Sequence, residues 1–372
     1  MKKMNRRTFL KTTAISTAMI SPILASTPHE KEDYKALVCI LLEGGADTLS
    51  MVVPKRSIEA YGKQKELRGE VTPNRDSLRR VVGSGYAFHP KMPNIQKMYN
   101  YRNVAVVANV GTLVEPVTKE QLESRNSNVK LPLGLFSQMA QQNHWMMAGH
   151  TDKGWAGAVA EQLKAENTNV TVGGFSLMQH SNEYETVMAF DESAEMSLKE
   201  QLEKVAVLMS ERKASNAPKR QIFFVKHRGW NAEHKPMDEM QQHDDRMVAE
   251  LDNELGQFDT YMSQLKLAEN VTTFTMFDSS RVTSADNHGL NHGWGGHAFV
   301  MGATVRAGIH GTMPNIAPSS EDVLMNTAVI PTTSTEQYLA PMVDWLCDGK
   351  VDLHKVFPNL KNFEHHKVSF VA

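Results

Sequence analysis

Two cysteines in 372 residues leave no room for a disulfide framework, and neither has the spacing of a zinc finger or a redox pair. Cys39 lies inside the apolar run ALVCILL, where a thiol reads as a small core side chain, and Cys347 lies in DWLCDG. Surplus positive charge is missing as well. Forty Lys and Arg stand against 42 Asp and Glu, a formal net charge of −2, which excludes the basic footprint of a nucleic-acid binder. Internal repeats and low-complexity domains are also absent. What is present is 41% hydrophobic residues in a chain long enough for one large domain or two smaller ones, so a real core can be buried.

The first residues, MKKMNRRTFLKTTAISTAMISPILAST, combine a basic head, an apolar stretch too short for a transmembrane helix, and small residues after it. That pattern is an export signal. Arg6-Arg7 followed by Phe9, Leu10 and Lys11 resembles the twin-arginine consensus, and Pro22 breaks any helix ahead of a cleavage region around Ala25 to Thr27. The expected organisation is a signal peptide over residues 1–27 and a single domain over 28–372, delivered to the periplasm. The twin-arginine translocase is then a partner during export, and membrane contact comes only through an uncleaved signal. Losing residues 1–27 removes five basic residues and no acid, so the formal charge falls to −7.

ALVCILL (36–42) is a continuous apolar run ending in EGGAD, the pattern of a strand buried on both faces whose chain turns at its C-terminal end. Similar runs follow at 104–110, 221–226, 271–277 and 298–302. Helical patterns lie between them. The longest, from Met237 to Leu267, places Met240, Met247, Leu251, Leu255, Phe258, Met262 and Leu265 on one stripe, which reads as core packing. STEQ at Ser334 fits a capping box for a helix that stops by Gly349. Strands alternating with helices predict an α/β fold with a largely parallel sheet, whose ligands gather beyond the strand C-termini. Residues 113–132 read as a long surface connection near that edge, and 210–220 as another loop.

The polar clusters fall after the strands. By residue type alone, Asp47, Asp278 and His292 are candidate ligands for a divalent metal such as zinc, manganese or calcium, since two strand-end carboxylates and an imidazole can converge across a sheet. Each alone has an ordinary alternative: a strand-end Asp caps turns, and a His among glycines is commonly a loop residue.

Several stretches occur in an order that carries a resemblance: LLEGGADTLSMVVP, FHPKMPNIQKMYNYRNVAVVANVGTLVEPVTKEQ, LPLGLFSQMAQQNHW, GWAG, VTTFTMFDSSRVTSADNHGLNHGWGGHAFVMGA and IHGTMP. Over about residues 36 to 315 the chain resembles the exported bacterial family called domain of unknown function 1501, which is similar to the alkaline phosphatase and sulfatase superfamily. The resemblance implies a three-layer α/β/α sandwich and a place where that superfamily binds two metals for ester hydrolysis. Asp47 matches the family's aspartate after the first strand, Asp278 and Arg281 the acid and arginine of its Asp-Phe-Gly-Arg, and His292 the histidine of its Asp-His-Gly. The superfamily's nucleophile is a Ser, Thr or modified Cys at a helix N-terminus, which makes Ser137 and Thr48 the candidates here, with an N-cap as the plainer role for Ser137.

Departures from the family pattern are as informative. Its Ser-His-Ser-Asp is Ser137, Gln138, Met139, Ala140; its Gly-Trp-Asp-Thr-His is Gly229, Trp230, Asn231, Ala232, Glu233; its Asp-His-Gly is Asn291, His292, Gly293. Met and Ala cannot coordinate a hard cation, and a two-metal clamp on the attacking and leaving oxygens needs both halves. Glu233, His234, His144 and His288 are the residues that could substitute. The segment between GWAG and QIFFV is also short beside the family. Two functions follow as expectations. One is an exported envelope protein with a degenerate metal site and a binding or accessory role. The other is a metal-dependent hydrolase of phosphate or sulfate esters, acting on a small anionic ester.

Overall fold

The computed structural model describes residues 33–124, 127–190, 195–232, 235–285, 290–366 and 368–371. The expected signal segment and Glu233, His234 and His288 lie outside the described residues. From Tyr34 onward the chain forms one compact unit.

The first apolar run is strand β1 (Lys35–Glu43), with every side chain from Ala36 to Leu42 fully buried. Its neighbours explain the unbroken hydrophobicity. β1 pairs in parallel with β5 (Arg220–Arg228) on one side and β6 (Val271–Phe277) on the other, and helices cover both faces. The other strands of this nine-stranded sheet are β2 (Val104–Gly111), β3 (Asn169–Thr171), β4 (Val187–Met188), β7 (Gly296–Met301), β8 (Gly308–His310) and β9 (Thr333–Ser334). Their order is β8-β2-β7-β6-β1-β5-β3-β4, with β9 also on β2.

Two helical layers enclose it. Helix α2 (Pro93–Asn100) meets β2, α5 (Leu198–Ser210) meets β5, and α6 (Met237–Gln264) packs on both helices. The second layer holds α3 (Gln138–Met147) on β6, α4 (Trp155–Leu163) on β3 and α7 (Thr335–Cys347) on β1 and β2. The fold is a three-layer α/β/α sandwich with a largely parallel sheet. The Met-rich stripe of α6 is core, buried from Met240 through Met262, and the helix ends at Gln264. Ser334 and Gln337 form the capping box of α7. Cys39 and Cys347 are both buried and free.

Three features depart from the sequence pattern. β7 runs antiparallel to both β2 and β6. Its chain leaves β6 at Phe277 and re-enters at Gly296 with no crossover helix among the described residues between, so it enters the sheet at the edge where β6 ended. Residues 52–54, 79–80 and 86–88 form a small antiparallel sheet that carries α1 (Ile58–Arg68). The 113–132 connection holds a short helix, Lys119–Glu123, capped by Thr118 and Gln121.

Candidate functional site

The parallel register aligns the ends of three strands: Glu43 pairs with Arg228, and Leu42 with Phe277. Asp278 therefore emerges beside the turn that follows β1. There Gly44 and Gly45 adopt φ of +122° and +85°, a conformation that L side chains rarely take. The turn aims both amides at one carboxylate: Gly44 N donates to Asp278 Oδ2 at 2.8 Å and Gly45 N to Oδ1 at 2.9 Å. A Cβ on Gly44 would lie 2.4 Å from Asn231 N, and one on Gly45 would lie 2.8 Å from His292 Nδ1. The EGGAD stretch is thus shaped by close approach of the β5 and β7 loops.

Asp278 is fully buried and takes a third donor, Gln138 Nε2 of α3, at 2.6 Å. Burial pushes its carboxyl above the usual range, and the three hydrogen bonds pull against that rise. Asp47 is also buried. Its Oδ1 is 2.5 Å from Nη2 of Arg68, the last residue of α1, and its Oδ2 accepts the Ser50 hydroxyl. Arg68 is fully buried and donates its other terminal nitrogen to the Val282 carbonyl. Arg281, 2% exposed, donates to the carbonyls of Leu290, Gly44 and Trp230 at 3.1 Å each, so it braces three loops at once. His292 is partly exposed, with Nδ1 2.6 Å from the Ser279 hydroxyl.

The segment containing His292 is a backbone plug. A Cβ on Gly293 would lie 2.6 Å from the Arg281 carbonyl, one on Gly295 2.3 Å from Asn109 Oδ1, and one on Gly296 2.5 Å from Thr48 Oγ1. Between them Trp294 is fully buried, with its indole N–H on the Thr112 carbonyl at 2.8 Å, under Leu113, Val117 and Leu122 of the long connection.

The two candidate nucleophiles occupy different settings. Ser137 is exposed and is the N-cap of α3, its hydroxyl accepting the Ala140 amide at 3.4 Å. Thr48 is fully buried, its hydroxyl oxygen accepting the His297 amide at 2.9 Å. The neighbour of Ser137, Gln138, reaches the Asp278 carboxylate instead. His144 bonds the Leu133 carbonyl.

Sequence reasoning missed Arg68, His297 and Asp244. Asp244 on α6 is 6% exposed, and burial together with the Asp47 charge pushes its carboxyl up to about 8, against the pull of Arg281 and Arg68. Its signal was positional: it lies four residues after Met240 and four before Val248, on the apolar stripe rather than the polar face. His297 is buried against the same network, and burial holds its imidazole down to about 4. Arg68 carried no local signal, because the fold alone returns α1 to Asp47.

This donor set does not fit a divalent ion. Asp278 already accepts three N–H groups, and Asp47 already has a guanidinium on one oxygen and a hydroxyl on the other. A cation on Asp47 would face the Arg68 charge at contact distance in a dry site, where like charges repel strongly. Among the described residues, no three His, Cys, Asp or Glu side chains are grouped to hold a metal.

No family model and no curated sequence matches the chain. It is similar in structure to the lipoteichoic acid synthase LtaP from Listeria monocytogenes, at 10% identity and a TM-score of 0.40, over 75% of this chain and 68% of that one. A protein of the alkaline phosphatase superfamily from Vibrio parahaemolyticus is similar at 13% identity and a TM-score of 0.37, over 76% of this chain and 63% of that one. The C-terminal periplasmic domain of EptC from Escherichia coli, in complex with Zn, is similar at 11% identity and a TM-score of 0.36, over 72% of each chain.

Proposed function

We propose that this is an exported envelope protein whose alkaline phosphatase-like site has become an internally neutralised polar network, leaving a binding or accessory role in place of ester hydrolysis. One observation carries the reading: the buried ion pair of Asp47 with Arg68, which supplies from within the protein the positive charge that a metal would bring. The three amides on Asp278 act in the same sense. A binding role is further supported by Leu131, Leu133, Phe136 and Met139, large apolar side chains exposed around the entry to α3, the helix whose Gln138 holds Asp278.

Calorimetric titration of the folded protein with zinc and with manganese tests the reading, beside melting curves with and without chelator. No saturable heat at micromolar metal is expected, and chelator should leave the melting temperature within about 1 °C, because an ion that does not bind the native state adds no stability. Micromolar binding, or a chelator-induced drop of several degrees, would overturn the proposal. Turnover of an aryl phosphate or sulfate ester would do so in favour of the hydrolase.

A further inference from the structure

A cavity of about 690 Å³ is lined by residues of α1 and of the segment 313–317. That volume is within the range of small-molecule sites, roughly 300–1,000 Å³. Its walls are mixed, with Val52, Tyr86, Met313 and Ile316 on the apolar part and Ser57, Glu59, Lys63, Glu66 and Asn315 on the polar part. Two buried polar side chains also line it. His297 is 1% exposed, and its Nδ1 accepts the Asn109 amide at 3.3 Å, which fixes the ring proton on Nε2. Among the described residues the hydrogen bond found for this ring is the one from the Asn109 amide, and the ring lines the cavity. Gln64 is 3% exposed and spends its amide N–H on the Leu49 carbonyl at 3.1 Å, so its Oε1 remains available as an acceptor. A buried donor without a partner costs free energy until a ligand or water satisfies it.

We propose that this cavity binds an uncharged amphipathic small molecule whose polar head both accepts a hydrogen bond from His297 and donates one to Gln64, as a carboxamide does, with an apolar body against Val52, Tyr86, Met313 and Ile316. An anionic head gains little there: Lys63, the one cation among the lining residues, lies 3.2 Å from Glu66, Glu59 also lines the cavity, and the Asp47 charge acts on His297. A cationic head would meet the His297 N–H, a donor facing a donor. The proposal does not depend on the metal question, since it uses the cavity-facing side of His297 and Gln64 and needs no ligand from Asp47 or Asp278.

Three near-isosteric probes separate the head-group chemistries: benzamide, benzoate and benzamidinium, each titrated into the full protein by ligand-observed NMR. Benzamide should saturate and bind at least about tenfold more tightly than either ion, since burying an unpaired charge is costly. Ala60→Phe, at an exposed position on the cavity mouth, should abolish saturation without lowering the melting temperature. Gln64→Leu should weaken benzamide by about five- to tenfold. Should Gln64→Leu fail to fold, Ala60→Phe alone decides. Equal binding of benzamide and benzoate, no saturation by benzamide, or unchanged binding in Ala60→Phe would each overturn the proposal.

Discussion

At the scale of single residues, His297 shows how burial converts an ordinary side chain into a pH-dependent one. Its imidazole is held down to about 4 because the charged form would be desolvated, and the Asp47 charge offsets only part of that. Above pH 6.5 both folded and unfolded chains carry it neutral, and it contributes no pH dependence. As pH falls from 6.5 towards 4, the unfolded chain takes up the proton first, so stability is lost across that window and levels off below it. The magnitude is about 2 to 3 kcal/mol by pH 4.5. Urea denaturation of the wild type and of His297→Gln at pH 7 and pH 4.5 should show the variant losing less stability between the two by that amount. Parallel losses in both proteins would mean that the imidazole is not held neutral. The same arithmetic of buried charge governs Asp47 and Arg68: with both partners dry, each is tolerable only because of the other.

At the scale of elements, the glycines after His292 let the chain pass close to the Arg281 backbone and to the side chains of Asn109 and Thr48. Gly293 has the least tolerant surroundings, because its blocking atoms belong to the Arg281 and Val282 backbone rather than to a flexible side chain. Gly293→Ala should cost about 1–3 kcal/mol in a denaturant titration and should loosen the β6–β7 connection, seen as faster amide exchange at Val282 and Gly293. A variant as stable as the wild type would show that the segment is not wedged. This element also marks how far the sequence could be read. β1, β2, β5, β6, α6 and α7 are legible because each is either a continuous apolar run or a strongly periodic stripe, and such patterns depend on local chain geometry. The reversed direction of β7 is not, since a five-residue apolar run reads the same in either direction. For the site, strand ends placed Asp47 and Asp278 in the sequence, and the Asn291-His292-Gly293 variation was visible as a departure. What replaced the missing donors was not. Arg68 reaches Asp47 only through the small sheet, and Gln138 reaches Asp278 only through the docking of α3, so both are consequences of tertiary packing with no motif of their own.

At the scale of the whole molecule, the polar network bears on the proposed export. Asp47, Arg68 and the Asp278–Arg281 loop come from three separate stretches of chain, and their polar groups find these partners only when the stretches are assembled in the folded state. A route that carries a folded protein preserves this assembly, whereas threading an unfolded chain would require it to form again on the far side of the membrane. The Arg6-Arg7 pair with Phe9 and Leu10 is the sequence feature that such a route would read. Replacing both arginines with lysine keeps the positive charge and removes the planar, multidentate guanidinium, a change that is not conservative where geometry is recognised. In a fractionation experiment, the Arg6→Lys, Arg7→Lys double variant should accumulate as full-length precursor in the cytoplasm, folded and with the wild-type melting temperature, while the native chain is processed and exported. Undiminished export of the double variant would reject the twin-arginine route, and cytoplasmic precursor that is unfolded would show that the buried network does not form before transport.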